Sequence, residues 1–154
     1  MLSFGIDHDG AVVGITGYIL LIANGDHEIE LLRRVHRDLN IREPLFVAQS
    51  GEDALRLLDE HPNILLILLD LKLPKMSGLE LLPHIRSRSK FSHVPVVVFV
   101  SDEMPGVVES VYEKGANSCL AKPVAYEEMR ETLAKAFDYW LVVNRDPART
   151  PYIS

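Results

Sequence analysis

The sequence predicts an α/β fold built on a parallel sheet with helices on both faces. Two observations carry this. Short, almost wholly apolar runs recur along the chain, as strands covered on both faces require. Between them lie stretches with apolar residues at helical spacing and polar residues elsewhere. A third observation bounds the size: 154 residues suit one domain, and a chain of this length buries roughly 70% of its unfolded surface.

The elements follow in order. YILLIA (18–23) is the first apolar run. Asp26 stands where a helix N-cap belongs, and 27–39 places Ile29, Leu32, Val35, His36 and Leu39 on one face. PLFVAQ (44–49) is the second strand, and 52–60 a helix with Ala54, Leu55, Leu57 and Leu58 inward, stopped by Pro62. NILLILLD (63–70) is the most apolar segment and the expected central strand. Ser77 caps a helix over 78–88 that buries Leu79, Leu82 and Ile85, with Pro83 as an internal conflict. VPVVVFV (94–100) is the fourth strand. A helix over 105–114 has Pro105 in its first turn and Gly115 at its end. NSCLA (117–121) is the fifth strand, and 125–143 a long last helix with Met129, Leu133, Phe137 and Trp140 on one stripe.

Five strands alternating with five helices, joined by right-handed crossovers, point to the flavodoxin-like three-layer order 2-1-3-4-5. The functional crevice of such a sheet lies at the carboxyl ends of its strands, beside the switch point. Asp70 ends the third strand there, and Lys122-Pro123 follows the fifth. Each is by itself an ordinary solvated loop residue. Together in one cleft, each stabilises the charged form of the other.

Composition removes several classes. Sixteen basic and 22 acidic side chains leave a net charge of −6, against the basic face of a general nucleic-acid binder. The single Cys119 excludes an internal disulfide and a cysteine metal cluster, and fits a reducing, cytoplasmic compartment. The longest uncharged run, 10–25, is shorter than a membrane span and interrupted by Gly14, Thr16 and Gly17. Asp7 and Asp9 before it, with no Lys or Arg, have the wrong charge for a secretory signal. Residues 1–17 therefore read as a loose extension, 18–143 as the domain and 144–154 as a tail with two prolines.

LLDLKLPKMSGLELL (68–82) resembles the phosphoacceptor segment of CheY-like response-regulator receiver domains of bacterial two-component phosphorelays. SGEDAL (50–55), PVVVFVSD (95–102) and YEKGANSCLAKP (112–123) match later landmarks of that family. The LPKMSG turn and FDYWLVV ending (137–143) are similar to single-domain regulators that partner cyanobacterial phytochromes. The resemblance implies phosphorylation of an aspartate by a sensor histidine kinase. It implies five parts: the aspartate, a lysine, an acidic pair after the first strand holding Mg²⁺, a strand-four Ser/Thr and a strand-five aromatic. By resemblance the aspartate maps to Asp70 and the lysine to Lys122. The acidic pair falls on Ala23 and Asn24, the Ser/Thr on Val100 and the aromatic on Cys119.

Each departure has a physical cost. Mg²⁺ wants carboxylate oxygens in near-octahedral geometry, and phosphoryl transfer depends on charge neutralisation. Val100 has no hydrogen-bonding group, and alternation along a strand disfavours Ser101 as its replacement. Cys119 is too small to swing as a ring does. The expectation is thus an Asp70–Lys122 ion pair of summed charge zero, no bound divalent ion, and an atypical phosphoprotein or interaction module, not an enzyme. Asp26 and Glu28 lie beyond the lost pair, with Asp26 the one to reach the site if the loop refolds; as an N-cap and a first-turn acid they need no further role.

Two other classes bear on the choice. FGIDHDGAVV (4–13) resembles the nucleophile loop of haloacid-dehalogenase-type phosphatases, with Asp7 as nucleophile and Asp9 as acid/base, but no core strand precedes it and no acidic metal loop follows. The six histidines are dispersed, without ligand spacing. The family's usual output or homodimer surface, helix 4–strand 5–helix 5, would here carry Val107, Val108, Val111, Tyr112, Tyr126, Phe137 and Trp140. No DNA-binding segment follows the resemblance, so the expected partner is a protein, with no nucleic acid and no membrane.

Overall fold

A computed structural model describes the backbone of residues 3–6 and 12–15, and residues 17–101 and 106–145 with their side chains. The central strands β3 (Tyr18–Ile22), β5 (Ile64–Asp70) and β6 (Val96–Val100) are buried along their whole length. They need to be, because an all-apolar strand with helices on both faces leaves no residue for water. The edges are β4 (Leu45–Ala48) and β7 (Ser118–Ala121), each mostly half-buried. The sheet runs β4-β3-β5-β6-β7, and every pair is parallel. Counting only these five strands, the order is the expected 2-1-3-4-5. Two further strands, β1 (Ser3–Ile6) and β2 (Val12–Ile15), form a separate antiparallel pair where the sequence suggests only a loose extension. The loop with Asp7 and Asp9 lies outside the described residues.

Strand alternation sorts the core into two layers. On one face Leu66 and Leu68 of β5 and Val97 and Phe99 of β6 meet α1 (Asp26–Asp38) and α5 (Tyr126–Phe137) through Ile29, Leu32, Val35, Met129, Leu133 and Phe137. On the other, Ile67, Leu69, Val96, Val98 and Val100 meet α2 (Gly51–Glu60), α3 (Gly78–Ser87) and α4 (Val107–Glu113). Tyr126 adds a polar tie on the first face. Its hydroxyl donates to Asp38, and Arg34 lies 4.3 Å over its ring, so α1 and α5 are joined beyond their apolar contact.

Helix ends agree with the expected caps at two places and not at a third. Ser50 Oγ accepts the Asp53 N–H at 3.1 Å and Ser77 Oγ the Glu80 N–H at 3.2 Å. In α1 the N-cap is Gly25, not Asp26, and no side chain caps it. Asp26 is the first helical residue, where its charge still meets the helix dipole. Leu81 replaces Leu79 among the buried residues of α3. Pro83 is accommodated inside that helix, the bond it cannot make falling to the half-buried Leu79. Pro105 lies outside the described residues; Gly115, at φ +111°, follows α4. The last helix is not continuous to 143: α5 stops at Phe137 and Asp138–Val143 widen into a π-helical stretch. Tyr139, Val142 and Val143 are exposed there, while Trp140 and Leu141 pack against the α1–α5 layer.

At the amino ends of the strands, Arg86 of α3 is a clamp. Its guanidinium donates to the Gly115 carbonyl at 2.9 and 2.7 Å, to the carbonyls of Phe91 (2.9 Å) and Val94 (2.6 Å), and to Asn117 Oδ1 at 2.7 Å. Asn117 Oδ1 also accepts the Val96 N–H at 2.8 Å. The start of β6, the turn before β7 and the end of α3 are thereby held on one side chain. Gly115 has no substitute at this point, since a Cβ there would lie 2.9 Å from Arg86 Cγ.

Candidate functional site

At the carboxyl ends of the strands three elements bring charged groups together. Asp70, the last residue of β5, is only 6% exposed and is the one charged residue classed as buried among those described. Alternation explains its direction: Leu66, Leu68 and Asp70 share a face, so its carboxylate turns to the α1–α5 side. Lys122 follows β7 and extends its ladder, its N–H donating to the Val100 carbonyl at 2.8 Å. Its ammonium donates to Asp70 Oδ2 at 2.7 Å, while Asp70 Oδ1 accepts the Lys72 N–H at 3.3 Å.

The second partner of the lysine is Glu28, whose Oε1 stands 2.7 Å from Lys122 Nζ. The site therefore holds two carboxylates and one ammonium, a sum of −1, in place of the neutral pair expected from the sequence. Desolvation lowers the pKa of Lys122, but the hydrogen bonds and charges of Asp70 and Glu28 outweigh it and leave it above the ordinary lysine value. Glu28 is the third residue of α1, and Leu32, one turn later on the same face, lines the same small cavity.

Apolar walls surround the charges. A cavity of about 20 Å³ is lined by Leu21, Ala23, Leu32, Phe99 and Met129 together with Glu28, Asp70 and Lys122. Such walls strengthen the pairing by excluding water. Behind Asp70, the loop to α3 folds tightly: the Gly78 N–H donates to the Leu71 carbonyl at 3.0 Å, and a Cβ on Gly78 would fall 2.8 Å from the Asp70 carbonyl oxygen. The glycine of the LPKMSG turn is thus required by the close approach of two backbones.

The other predicted positions are placed as follows. Ala23 is buried in the wall of the cavity, whereas Asn24 and Asp26 are exposed. Glu28, not Asp26, is the first-turn acid that reaches the lysine. Val100 packs into the α2–α4 layer and Cys119 against it, half-buried. Desolvation raises the Cys119 thiol pKa above its ordinary value. Alternation along β6 turns Phe99 to the Asp70 cavity and Val100 into the opposite layer. The Ser101 hydroxyl is buried and without a hydrogen-bond partner among the described residues.

Residues 19–134 match the family model of the response regulator receiver domain. The chain belongs to that family. A two-component response regulator of rice (Oryza sativa subsp. indica), ORR11, is 30% identical over 135 residues, covering 80% of this chain and 90% of its own. The Mn²⁺-bound form of response regulator Rcp1 superposes with a TM-score of 0.74 at 28% identity, over 85% of this chain and 99% of that one. The bacteriophytochrome response regulator RtBRR does so with a TM-score of 0.68 at 30% identity, over 86% and 85%. The protein is a receiver domain of two-component signalling with the CheY-like fold, and phytochrome response regulators are among its structural neighbours.

Proposed function

We propose that this receiver domain is an atypical one, a protein-interaction module in two-component signalling that works without Mg²⁺-dependent phosphorylation. One observation carries the reading: the Lys122 ammonium lies 2.7 Å from both Asp70 and Glu28, at a cavity that Ala23 also lines. A hard divalent cation prefers several carboxylate oxygens in near-octahedral array. Here the inward oxygens of both carboxylates already face an ammonium, Asn24 is exposed, and no three His, Cys, Asp or Glu side chains gather as ligands among the described residues. This donor set does not suit Mg²⁺. Asp70 and Lys122 then describe a receiver site kept as an ion pair, with Ala23 and Asn24 where the acidic pair would stand and Val100 and Cys119 turned into the apolar layer behind it.

The partner is a protein, with a sensor histidine kinase the first candidate, in the cytoplasm. Val108 and Tyr112 of α4 are 47% and 48% exposed and offer an apolar contact for a partner or a second copy, whereas Val107, Val111 and Phe137 are spent in the core. No helix among the described residues is long and apolar enough to cross a membrane.

A second reading is favoured by the position of Asp70 itself, at the end of β5 with a lysine on its oxygen: a response regulator phosphorylated there by a kinase. Acetyl phosphate separates the two. Incubation with and without Mg²⁺ is expected to leave the intact mass unchanged. A phosphoryl mass gain that requires Mg²⁺ and disappears in Asp70→Asn would establish the second reading.

A further inference from the structure

Glu28 lies outside every position that the family resemblance assigns, yet it makes one of the two ion pairs of Lys122, at the same 2.7 Å as Asp70. The two contacts differ in kind. Asp70 is fixed at a strand end, 9% exposed in its side chain, with a second hydrogen bond from the Lys72 N–H. Glu28 projects from the first turn of a helix, 39% exposed, and no other hydrogen bond or ion pair holds its carboxylate among the described contacts. The glutamate is therefore the side chain that can leave Lys122 with little rearrangement. What it occupies is the solvent-facing side of an ammonium whose other side is held by a buried carboxylate.

We propose that Glu28 is a built-in competitor for anions at Lys122. Its carboxylate fills the place that a small tetrahedral oxyanion of the phosphate class would take, and its charge repels one. The inference rests on the reading of Asp70–Lys122 as a receiver site kept as an ion pair, and deepens it by naming what keeps that site closed. With Glu28 in place the site sums to −1. Without its charge the sum is zero, and the neutral side chain left at Lys122 no longer repels an anion and is displaced more readily. Exposure and screening moderate the effect.

The test is phosphate binding in EDTA, followed by the Lys72 amide resonance, whose N–H touches Asp70 Oδ1. Glu28→Gln keeps the shape and removes the charge. It is expected to bind inorganic phosphate roughly tenfold more tightly than the natural chain, the size expected when a contacting like charge in a partly exposed site is removed. Glu30→Gln, an exposed acid on the same helix, is the control for general charge and is expected to change nothing. An equal gain in Glu30→Gln, an unchanged affinity in Glu28→Gln, or no binding to Glu28→Gln at millimolar phosphate would each overturn the proposal. Because EDTA is present throughout, these outcomes are independent of whether Mg²⁺ supports phosphorylation of Asp70. Failure of the underlying reading shows instead as the Mg²⁺-dependent mass gain of the natural chain.

Discussion

The two ends of the sheet each hold the head of a half-buried cationic side chain, and they satisfy it in opposite ways. At the amino end Arg86 is surrounded by neutral acceptors, three backbone carbonyls and an amide oxygen. At the carboxyl end Lys122 is met by two carboxylates. The guanidinium is always charged and carries five donors in a rigid fork, so neutral oxygens of fixed backbone can be tied to it permanently. The ammonium is a compact charge on a flexible stem, and its partners are charges that can be protonated, modified or displaced. The first arrangement suits a fixed joint, and the second a site whose occupancy can change. The comparison also explains why burial alone dominates at Arg86, lowering its pKa, while at Lys122 the same effect is outweighed by charge.

If this contrast is right, the largest effect comes from the amino end. Arg86→Ala strips donors from the carbonyls of Phe91, Val94 and Gly115 and from Asn117 Oδ1. Each buried acceptor left without a partner costs about 1–3 kcal/mol, and with some of them rehydrated the total is expected near 3–5 kcal/mol. Urea unfolding measures it. A loss under about 1 kcal/mol would mean that water replaces the fork freely, and that the amino end is no tighter than an exposed pair.

The next effect tests the carboxyl end. Lys122→Met leaves Asp70 and Glu28 facing each other with no counter-ion. Unpairing a fully buried charge costs about 3–5 kcal/mol. Glu28 is more than a third exposed, so solvent screening should reduce this to about 1–2 kcal/mol. Adding Asp70→Asn to Lys122→Met should recover part of the loss, because the buried group left behind is then neutral. A double variant no more stable than Lys122→Met alone would break the assignment of Asp70 as a charged partner.

How legible these two ends were in the sequence differs for a physical reason. The sheet order and most helix faces could be read, because burial on both sides imposes apolar runs such as ILLILLD, and one-sided burial imposes a helical period. Asp70 and Lys122 could be read because strand ends are fixed by where those runs stop. Glu28 was visible as an acid beyond the lost pair but not as the one that reaches Lys122. That choice depends on helix phase, and on α1 being capped by Gly25 and not Asp26, a shift of one residue that period alone does not resolve. The Arg86 clamp left no signal, since its acceptors are mostly backbone carbonyls 5 to 29 residues away, which every residue type provides equally. The last helix misled for another reason: its apolar stripe does continue, with Trp140 packed against the α1–α5 layer, and that spacing does not tell an α turn from the wider π turn of Asp138–Val143.

The smallest effect is the pH dependence that separates the two cations. The folded pKa of Lys122 is raised above the 10.5 of a free lysine, so the folded state holds this proton more tightly than the unfolded chain does. Its contribution is then complete below the ordinary lysine range and is lost as pH rises through the raised folded value. The stability gap between the natural chain and Lys122→Met should therefore stay level from neutral pH to about pH 10 and close above it. The gap to Arg86→Ala should show no such closing in that window, because an arginine remains charged there. Both follow from urea midpoints measured at a series of alkaline pH values. A Lys122 gap that widened with pH would reverse the sign of the linkage, and with it the claim that carboxylates, not burial, govern the charge at this end of the sheet.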